Sequence, residues 1–488
     1  MSLLIPGTNS IKDTGYDVAN SARFNVGSSD NIQRTYGTPT NAKIFGLSWW
    51  VKLGKAWDGS GSQDFWGERA DGSNRVFHGI NADGTFQYFE KNGGSTTLDI
   101  KTNRLFRDNS AWYHFLLLGD STQGTAANRL KLYINGVQET SFSTESYPSS
   151  DYQFRLAVGS STKYFGRIGL GGSLSTNYYD GYLAEAVFVD GTVTAHTDYG
   201  AFDEDSPTIW KPKDVSGLTF GNNGFYLDFE DSSALGNDVS GNDNDFTVNN
   251  LTAVDQSTDT CTNNFATMNP LAKSSTGTST FANGNLKIST NESQLFGAMT
   301  TIGVTQGKWY AECKKISQDS GGGDTLSRLS FGVTNKINHS TNNPTGDAGN
   351  YYVYGIDHVY NGATNLGSLA GTSHIADGKI QMIALDLDNN RVTFGANGQW
   401  MDGSGSYNQS SPSSYVSITD PADTDAGYFF FQGDGSSTRG YTGEWNFGGT
   451  QTFTISSGNA DANGYGNFEY APPSGYYSLC TKNLSEFG

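Results

Sequence analysis

Apolar and polar residues alternate with a period of two along much of the chain, which is the pattern of a β-strand with one buried face. The clearest run covers residues 43–53. Because successive side chains of a strand point to opposite faces, one face of this strand carries Phe45, Leu47, Trp49 and Val51. We expect that face to enter a core and Trp50 to point away from it.

The same arrangement of strand and turn occurs once in each half of the chain. Trp112-Tyr113 opens one strand and Trp309-Tyr310 opens another. Each is followed by a strand that reaches an Asn-Gly pair, Asn135-Gly136 or Asn397-Gly398. Asn-Gly is a strong signal for a two-residue type I′ hairpin, in which both turn residues have positive φ. The repeated pattern predicts two β-domains in tandem.

Strand-like runs bounded by Gly, Asn, Ser, Thr and Asp continue to the end of the chain, and no segment of helical period exceeds about two turns. The pattern predicts an all-β protein, with two tandem antiparallel β-sandwiches and little helix. We place the first sandwich at 1–212, an ordered connector packed on the sandwiches at 213–270, and the second sandwich at 271–488. The tail, Pro472 to Gly488, is expected to be coil-like.

Composition narrows the class of protein. The chain has a net charge of −19 and no run of Lys and Arg. Nucleic acid is therefore an unfavourable partner, because phosphate binding needs local positive charge. No run approaches the ~20 apolar residues of a membrane span, so we expect no membrane insertion. The spacing of Cys261, Cys313 and Cys480 fits neither zinc nor redox motifs, which predicts three free thiols. The first residues do not resemble a signal peptide.

The first unit resembles the laminin-G-like, concanavalin A-type jelly roll over most of residues 15–212. The stretches that match are Ala22-Arg23-Phe24-Asn25, Ser48-Trp49-Trp50-Val51-Lys52, Trp112-Tyr113-His114, Leu132-Tyr133-Ile134-Asn135-Gly136 and Gly181-Tyr182-Leu183-Ala184-Glu185. The resemblance implies a sandwich fold whose relatives include both sugar-binding proteins and glycoside hydrolases.

The second unit resembles a SPRY sandwich. The matching stretches are Gly307-Lys308-Trp309-Tyr310-Ala311-Glu312, Phe331-Gly332-Val333, Ala384-Leu385-Asp386-Leu387-Asp388 and Trp445-Asn446-Phe447-Gly448. The whole arrangement is similar to structural proteins of marine tailed bacteriophages. That likeness depends most on two stretches, Ser240-Gly241-Asn242-Asp243-Asn244-Asp245-Phe246 and Asn263-Asn264-Phe265-Ala266-Thr267-Met268-Asn269-Pro270-Leu271.

Catalysis and metal binding have few candidates. Glycoside hydrolysis needs two carboxylates about 5–9.5 Å apart; the best pair is Asp228 and Glu230, and Glu185 stands alone on its strand. The six histidines are scattered, and His114 is expected to be a hydrogen-bonded core residue. We therefore predict no enzyme and no cofactor. Calcium is kept open by two groups of hard oxygen ligands, which are Asp238, Asp243 and Asp245, and Asp386, Asp388, Asn389 and Asn390.

Aromatic residues in loops are the remaining candidates for ligand binding or for a protein interface, because rings stack on sugar faces and anchor interfaces. They are Tyr351, Tyr352, Tyr354 and Tyr360 in the second unit, and Trp57 and Trp66 in the first. The alternative for each is packing beneath a loop or in a subunit contact.

These observations, with the resemblance, favour a bacteriophage virion protein of the tail, a fibre or the capsid surface. We expect a homo-oligomer that assembles with other virion proteins, is made in the host cytoplasm and is released by lysis. It would adhere to the host surface, with glycans as the candidate ligand. The alternatives are an architectural cement or decoration subunit without a host ligand, a glycan-degrading enzyme, and, more distantly, an intracellular peptide-binding SPRY module.

Overall fold

Over the described residues the chain folds into two compact units, one ending at Thr262 and the other running from Asn263 to Gly488. We call them the first and the second unit. The computed structural model describes residues 15–55, 61–167, 177–273, 279–290, 296–318, 329–336, 348–354, 358–368, 377–424, 426–434 and 440–488.

Two antiparallel sheets form the first unit. Its strands are β1 Ser21–Phe24, β2 Asn31–Thr35, β3 Ile44–Leu53, β4 Gln63–Arg69, β5 Arg75–Ile80, β6 Thr85–Asn92, β7 Ser95–Leu105, β8 Trp112–Asp120, β9 Leu130–Ile134, β10 Val137–Gln138, β11 Phe142–Ser146, β12 Thr162–Phe165, β13 Gly181–Asp190, β14 Gly200–Phe202, β15 Trp210–Pro212, β16 Phe225–Leu227, β17 Thr247–Asn249 and β18 Gln256–Ser257. Sheet A has the order β10-β9-β8-β3-β13-β1-β18, with β16 also on β13, and sheet B has the order β11-β7-β6-β5-β4-β12-β2-β17. Strands β14 and β15 pair with each other.

The core of the first unit lies between sheets A and B, and its alternation is the one that the sequence predicts. The inner face of β3 contributes Phe45, Leu47, Trp49 and Val51 to this core. Trp49 stacks on Phe115 of β8, with ring centroids 5.6 Å apart. Trp50 belongs to a separate cluster on the outer face of sheet A. The predicted faces of β3 are therefore confirmed.

The predicted connector, 213–270, does not form a separate segment. Strand β16 pairs with β13, β17 with β2 and β18 with β1, so residues up to Thr262 complete both sheets of the first unit. Asn263 begins the second unit. The apolar run Gly224 to Phe229 predicts the strand that becomes β16, but the Asn- and Asp-rich composition concealed β17 and β18, which have three and two residues and are too short to show a period.

The second unit is also built of two sheets. Its strands are β19 Met268–Lys273, β20 Ser279–Ala282, β21 Lys287–Thr290, β22 Phe296–Thr300, β23 Lys308–Gln318, β24 Leu329–Thr334, β25 Asn350–Tyr354, β26 His358–Asn361, β27 Thr364–Ser368, β28 Ile380–Asp386, β29 Arg391–Ala396, β30 Gln399–Met401, β31 Tyr407–Gln409, β32 Val416–Ser417, β33 Phe429–Asp434, β34 Tyr441–Asn446 and β35 Tyr477–Ser478. One sheet is β19-β22-β33-β24-β25-β26-β27, and the other is β20-β21-β34-β23-β28-β29-β30-β31. Trp309, Phe331, Ile383 and Trp445 meet in the core between them.

Both predicted Asn-Gly hairpins are present, and they share a further contact. The φ angles are 49° and 76° at Asn135 and Gly136, and 47° and 82° at Asn397 and Gly398, as a type I′ turn requires. Asn135 bonds His114 twice, with its backbone N–H donating to the carbonyl and its side-chain oxygen accepting from the amide. Asn397 bonds Ile380 in the same two ways. Each turn is thereby fastened to the neighbouring strand.

Helix is scarce, as predicted, but the coil-like tail is a wrong prediction. In the described residues the single α-helix, α1, covers Thr481–Phe487. Short 3₁₀ turns cover Ala126–Asn128, His196–Asp198, Ala253–Asp255, Leu387–Asn389 and Pro421–Asp423. Strand β35 pairs in parallel with β23, and Leu484 of α1 is buried in the core. Two helical turns give too few apolar positions for the 3.6-residue period to be visible.

Candidate functional site

A cavity of about 350 Å³ opens at one end of sheet A, where β8 ends and β9 begins. Its size falls within the range of about 300–1,000 Å³ that is usual for small-ligand sites. The wall opposite the strands is the segment Val193–His196. The lining residues are Phe45, Leu118, Gly119, Asp120, Gln123, Asn128, Lys131, Tyr133, Val193, Thr194, Ala195 and His196.

Strand alternation points Tyr133 toward this cavity. Leu132 and Ile134 enter the core, so Tyr133 lies on the outer face of sheet A, where its ring stacks on His196 with centroids 4.8 Å apart and planes within 6°. His196 stacks in turn on Trp210, at 6.1 Å. The three rings form a continuous stack, the ring stack, in which Tyr133 and His196 border the cavity and Trp210 lies behind them.

A buried histidine fixes the inner end of the ring stack. His114 is fully buried, and its Nδ1 accepts a hydrogen bond from Trp210 Nε1 at 3.0 Å. The other ring nitrogen, Nε2, therefore carries the proton and donates to Ser48 Oγ at 2.8 Å. Burial lowers the pKa of His114 to about 3, so the ring is neutral. His114 is thus the hydrogen-bonded core residue that the sequence predicts, and it positions the indole behind His196.

The polar side chains around the cavity differ in whether their hydrogen-bonding groups already have a partner. Asp120 accepts hydrogen bonds from Thr122 and from Gln123. Burial raises the pKa of Asp120, but these bonds outweigh it and the net pKa is lowered. Within the described part of the chain the side chains of Asn128 and Lys131 have no hydrogen-bond partner. Rings beside uncommitted amide and ammonium donors are the arrangement that holds a polyhydroxylated ligand.

The tryptophans predicted as ligand or interface residues do not line this cavity. Trp66 is fully buried and stacks on His78, with centroids 5.7 Å apart and planes within 7°. Trp57 lies outside the described residues. The role predicted for them stays a prediction, although the ring of Trp66 is enclosed by the core of the first unit.

The four predicted tyrosines lie in strands β25 and β26 of the second unit. Tyr352 is fully buried and stacks on Tyr360, its cross-strand partner, which is half-buried. Tyr351 is 4% exposed, and its hydroxyl lies 3.1 Å from Thr419 Oγ1, beside a second and more polar cavity. The side chain of Tyr354 lies outside the described residues. The structure therefore brings Tyr352 and Tyr360 together in packing, and their ligand-binding role stays a prediction.

Of the carboxylates considered for catalysis, Glu185 lies at a strand irregularity, whereas Asp228 and Glu230 follow the end of β16. Glu185 has a φ of 48° at a bulge in β13, where the strand changes partner from β1 to β16. Its two oxygens accept from the Tyr226 hydroxyl at 3.0 and 2.8 Å. Burial raises the pKa of Glu185 to about 8, and the charges of Asp228 and Glu230 add to the shift. This group is enclosed by its own hydrogen bonds.

The two acidic groups considered for calcium use their oxygens within the chain. Asp238 accepts from the backbone N–H groups of Tyr226, Ser240 and Asn244. Asp386 accepts from Asn389 and Arg391. Among the described residues no group of three or more His, Cys, Asp and Glu side chains is arranged to hold a metal ion. Calcium binding stays an open prediction. All three cysteines are free.

The chain is similar in sequence to one domain family. The model of the concanavalin A-like lectin/glucanases superfamily, Laminin_G_3, matches residues 26–197, which include the cavity lining. The first unit is accordingly a concanavalin A-like, laminin G-like domain, and the predicted all-β fold class is confirmed. No curated protein matches the chain as a sequence relative.

Solved structures resemble the chain only distantly. The SPRY domain of human HERC1 is 15% identical, with 38% of this chain and 99% of that chain covered, at a TM-score of 0.28. The LG1-3 region of the laminin alpha2 chain is 8% identical, with 88% and 62% covered, at 0.32. A protein from Bacteroides ovatus described as carbohydrate-binding is 14% identical, with 49% and 60% covered, at 0.35. Likenesses at these scores support no inference about function.

Only one feature of the sequence indicates the cavity, and it is weak. Tyr133 and Lys131 occupy the polar positions of an alternating strand, and an aromatic residue at such a position indicates an outward-facing ring. The partner ring, His196, is 63 residues away in sequence and is found only from the fold.

In the described part of the chain no helix is long and apolar enough to cross a membrane.

Proposed function

We propose that the protein binds carbohydrate without cleaving it, and that the cavity beside the ring stack is the site. The observation that carries the proposal is the combination, in one cavity, of the Tyr133–His196 stack with the uncommitted donors of Asn128 and Lys131. Rings accept the apolar face of a sugar, and amide and ammonium groups bond its hydroxyls. The matching superfamily model, named for lectins and glucanases, supports this class of ligand.

Binding is favoured over hydrolysis by the carboxylates of the site. Among the described lining residues the single carboxylate is Asp120, and hydrogen bonds from Thr122 and Gln123 engage both of its oxygens. Glycoside hydrolysis by the usual route needs a second carboxylate on the other side of the bond. A release assay for reducing sugar with host polysaccharide tests this directly, since sustained release would show an enzyme.

The test of binding compares variants on a panel of neutral oligosaccharides. Tyr133→Ala removes the ring and is expected to weaken binding about tenfold, whereas Tyr133→Phe keeps the ring and most of the affinity. Tyr147→Ala, which removes a half-buried tyrosine elsewhere in the first unit, is the matched control. If Tyr133→Ala binds every glycan as the unaltered protein does, the cavity is not the site.

The biological setting that we propose is a bacteriophage virion, with the protein as an adhesive tail, fibre or capsid-surface component. This rests on the sequence resemblance described above and not on the cavity. Many copies on one particle make weak sugar contacts effective, which fits a homo-oligomer assembled with other virion proteins. A whole-virion reconstruction locates the chain. Virions that lack it and still adsorb normally would leave an architectural role instead.

A further inference from the structure

Three cationic residues lie side by side on the outer face of sheet B. Arg69 of β4 is the direct cross-strand partner of Arg75 of β5, and Arg75 is the partner of Lys91 of β6. The neighbouring residues Val76 and Glu90 are buried and point to the other face, so alternation places all three cations outward. Because adjacent strands are about 4.8 Å apart, the cation row spans about 10 Å.

The cation row has no compensating charge. In the described part of the chain none of its three members forms an ion pair, and each is half-buried, not fully solvated. Like charges directly opposite each other in a sheet are destabilising. Such a row is unexpected in a protein of net charge −19, where carboxylates outnumber cations by 49 to 30.

An apolar surface lies next to the cation row on the same face. Phe77 and Phe89 are cross-strand partners two residues away from the Arg75–Lys91 pair, and therefore on the same face of the sheet. Their rings stack with centroids 5.3 Å apart. The Arg75 guanidinium lies over the Phe89 ring, 4.9 Å from its centroid. Stacking holds the guanidinium flat, and because its Nε is buried, the terminal Nη groups are the donors for a contact with an anion.

Two other charged side chains on this face, Asp99 and Lys101, each have a polar partner. Asp99, opposite Phe89, accepts a hydrogen bond from Gln87 Nε2 at 2.7 Å. Lys101 forms an ion pair with Asp83 at 2.5 Å. The cation row is therefore the group of positive charges on this face that no described carboxylate pairs with.

We propose that the cation row and the Phe77–Phe89 stack bind an acidic polysaccharide, one that carries sulfate or carboxylate groups. The row supplies three cations in line for anionic groups that repeat along a chain, and the phenylalanine rings supply an apolar surface for the sugar rings between them. Duplex DNA is the alternative polyanion, and its binding is measured beside that of the polysaccharides. This surface is on sheet B and the cavity is on sheet A, so either proposal stands without the other.

The experiment measures binding of the full-length protein to immobilised heparin, polygalacturonate, neutral dextran and duplex DNA. We expect binding to the two acidic polysaccharides, weakened by raising the ionic strength from about 0.05 to about 0.5 M. The double variant Arg75→Gln/Lys91→Gln should bind them about tenfold or more weakly. Lys213→Gln removes one positive charge at an exposed lysine elsewhere in the first unit, so it is the matched control for the single variant Lys91→Gln, and it should change binding little.

Several outcomes would overturn the proposal: no binding to either acidic polysaccharide, equal binding to dextran, binding to DNA as strong as to heparin, or a double variant that binds heparin unchanged. Circular dichroism and thermal unfolding check that the variants are folded, and Lys91→Glu gives a second variant at the surface. Tyr133→Ala separates the two sites, since it should leave heparin binding unchanged. Loss of heparin binding in Tyr133→Ala but not in the double variant would assign the acidic ligand to the cavity instead.

Discussion

Lys52 and Asp259 form an ion pair of 2.7 Å in which both side chains are only 1% exposed. Asp259 also accepts a hydrogen bond from Trp112 Nε1 at 3.1 Å. Strand β3, strand β8 and the last residues of the first unit are thus joined at one carboxylate. The ion pair explains why the compact unit extends beyond the predicted boundary at residue 212, into the predicted connector.

Removing the carboxylate at this junction should destabilise the first unit strongly. We expect Asp259→Asn to lower the free energy of unfolding by about 3–5 kcal/mol, because the buried Lys52 loses the carboxylate that lies 2.7 Å from it. Chemical denaturation measures the change. Asp83→Asn breaks a half-exposed pair with Lys101 and should cost less than about 1 kcal/mol. Equal losses in the two variants would contradict this account.

Asp64 should make stability depend on pH. It is 2% exposed, and burial raises its pKa to about 8 against an ordinary 3.8. The folded state holds the Asp64 proton more tightly than the unfolded state. The stabilisation that this proton gives to the folded state is therefore fully present below pH 3.8 and is lost as the pH rises toward 8. Asp64→Asn removes that loss. Its stability relative to the unaltered protein should rise by up to about 1.4 kcal/mol per pH unit within this window.

The contrasting variant for Asp64 is Asp190→Asn. Asp190 is also fully buried, but its oxygens accept from the backbone N–H groups of Thr40, Asn41 and Asn223. An amide cannot accept all of these bonds, so this variant should be less stable than the unaltered protein at neutral pH. Thermal unfolding at several pH values compares the two variants. Parallel pH profiles for Asp64→Asn and the unaltered protein would refute the role of Asp64.

The Asn135-Gly136 turn, which packs against Trp210 of the ring stack, should not tolerate a Cβ at Gly136. Gly136 has a φ of 76°, and a Cβ there would lie 2.1 Å from the Trp210 ring. Gly93 has a φ of 57° with nothing within 4 Å. Gly93→Ala should cost about 1–2 kcal/mol from the left-handed backbone alone, and Gly136→Ala should cost about 1–3 kcal/mol more through the clash. Denaturation midpoints measure both, and equal costs would mean that the indole moves aside freely.

The cation row should lower the stability of the fold. Lys91→Glu replaces a like charge opposite Arg75 with an opposite one, and we expect the free energy of unfolding to rise by about 0.2–1 kcal/mol. Lys101→Glu, on the same sheet face, instead removes the pairing with Asp83 and should lower it slightly. Urea unfolding of the two variants is the measurement. A less stable Lys91→Glu would show that the cations are already compensated.

The elements that the sequence predicts well are those whose period is visible locally. Strand β3 has ten residues with alternating large apolar side chains, and the Asn-Gly turns demand a positive φ that few other residues adopt. These features depend on neighbours in sequence, so they need no knowledge of the fold. Helix α1 and strands β17 and β18 were missed, because each is too short for its period to be visible, whereas the run Gly224 to Phe229 does predict a strand where β16 lies.

The candidate sites could not be predicted from the sequence, because each joins residues that are distant along the chain. Tyr133 meets His196 only because the segment after β13 returns across the outer face of sheet A. Arg69, Arg75 and Lys91 are separated by turns, so no run of basic residues appears. Trp66, in contrast, was singled out by the Gly- and Ser-rich residues before it, although β4 carries its ring inward.

Strand β1 lies in sheet A between β13 and β18, so Ser21 is paired with Ser257. During synthesis the first strand must therefore wait for almost the whole unit to leave the ribosome before its sheet can close. Pairings this distant in sequence make folding slow. Until then the free edge of β1 and the part of β13 that pairs with β16 are open, and a chain shortened at the predicted boundary, Pro212, would keep them open permanently, because β16 and β18 lie beyond it. We expect such a fragment to aggregate, whereas one that ends after Thr262 should fold.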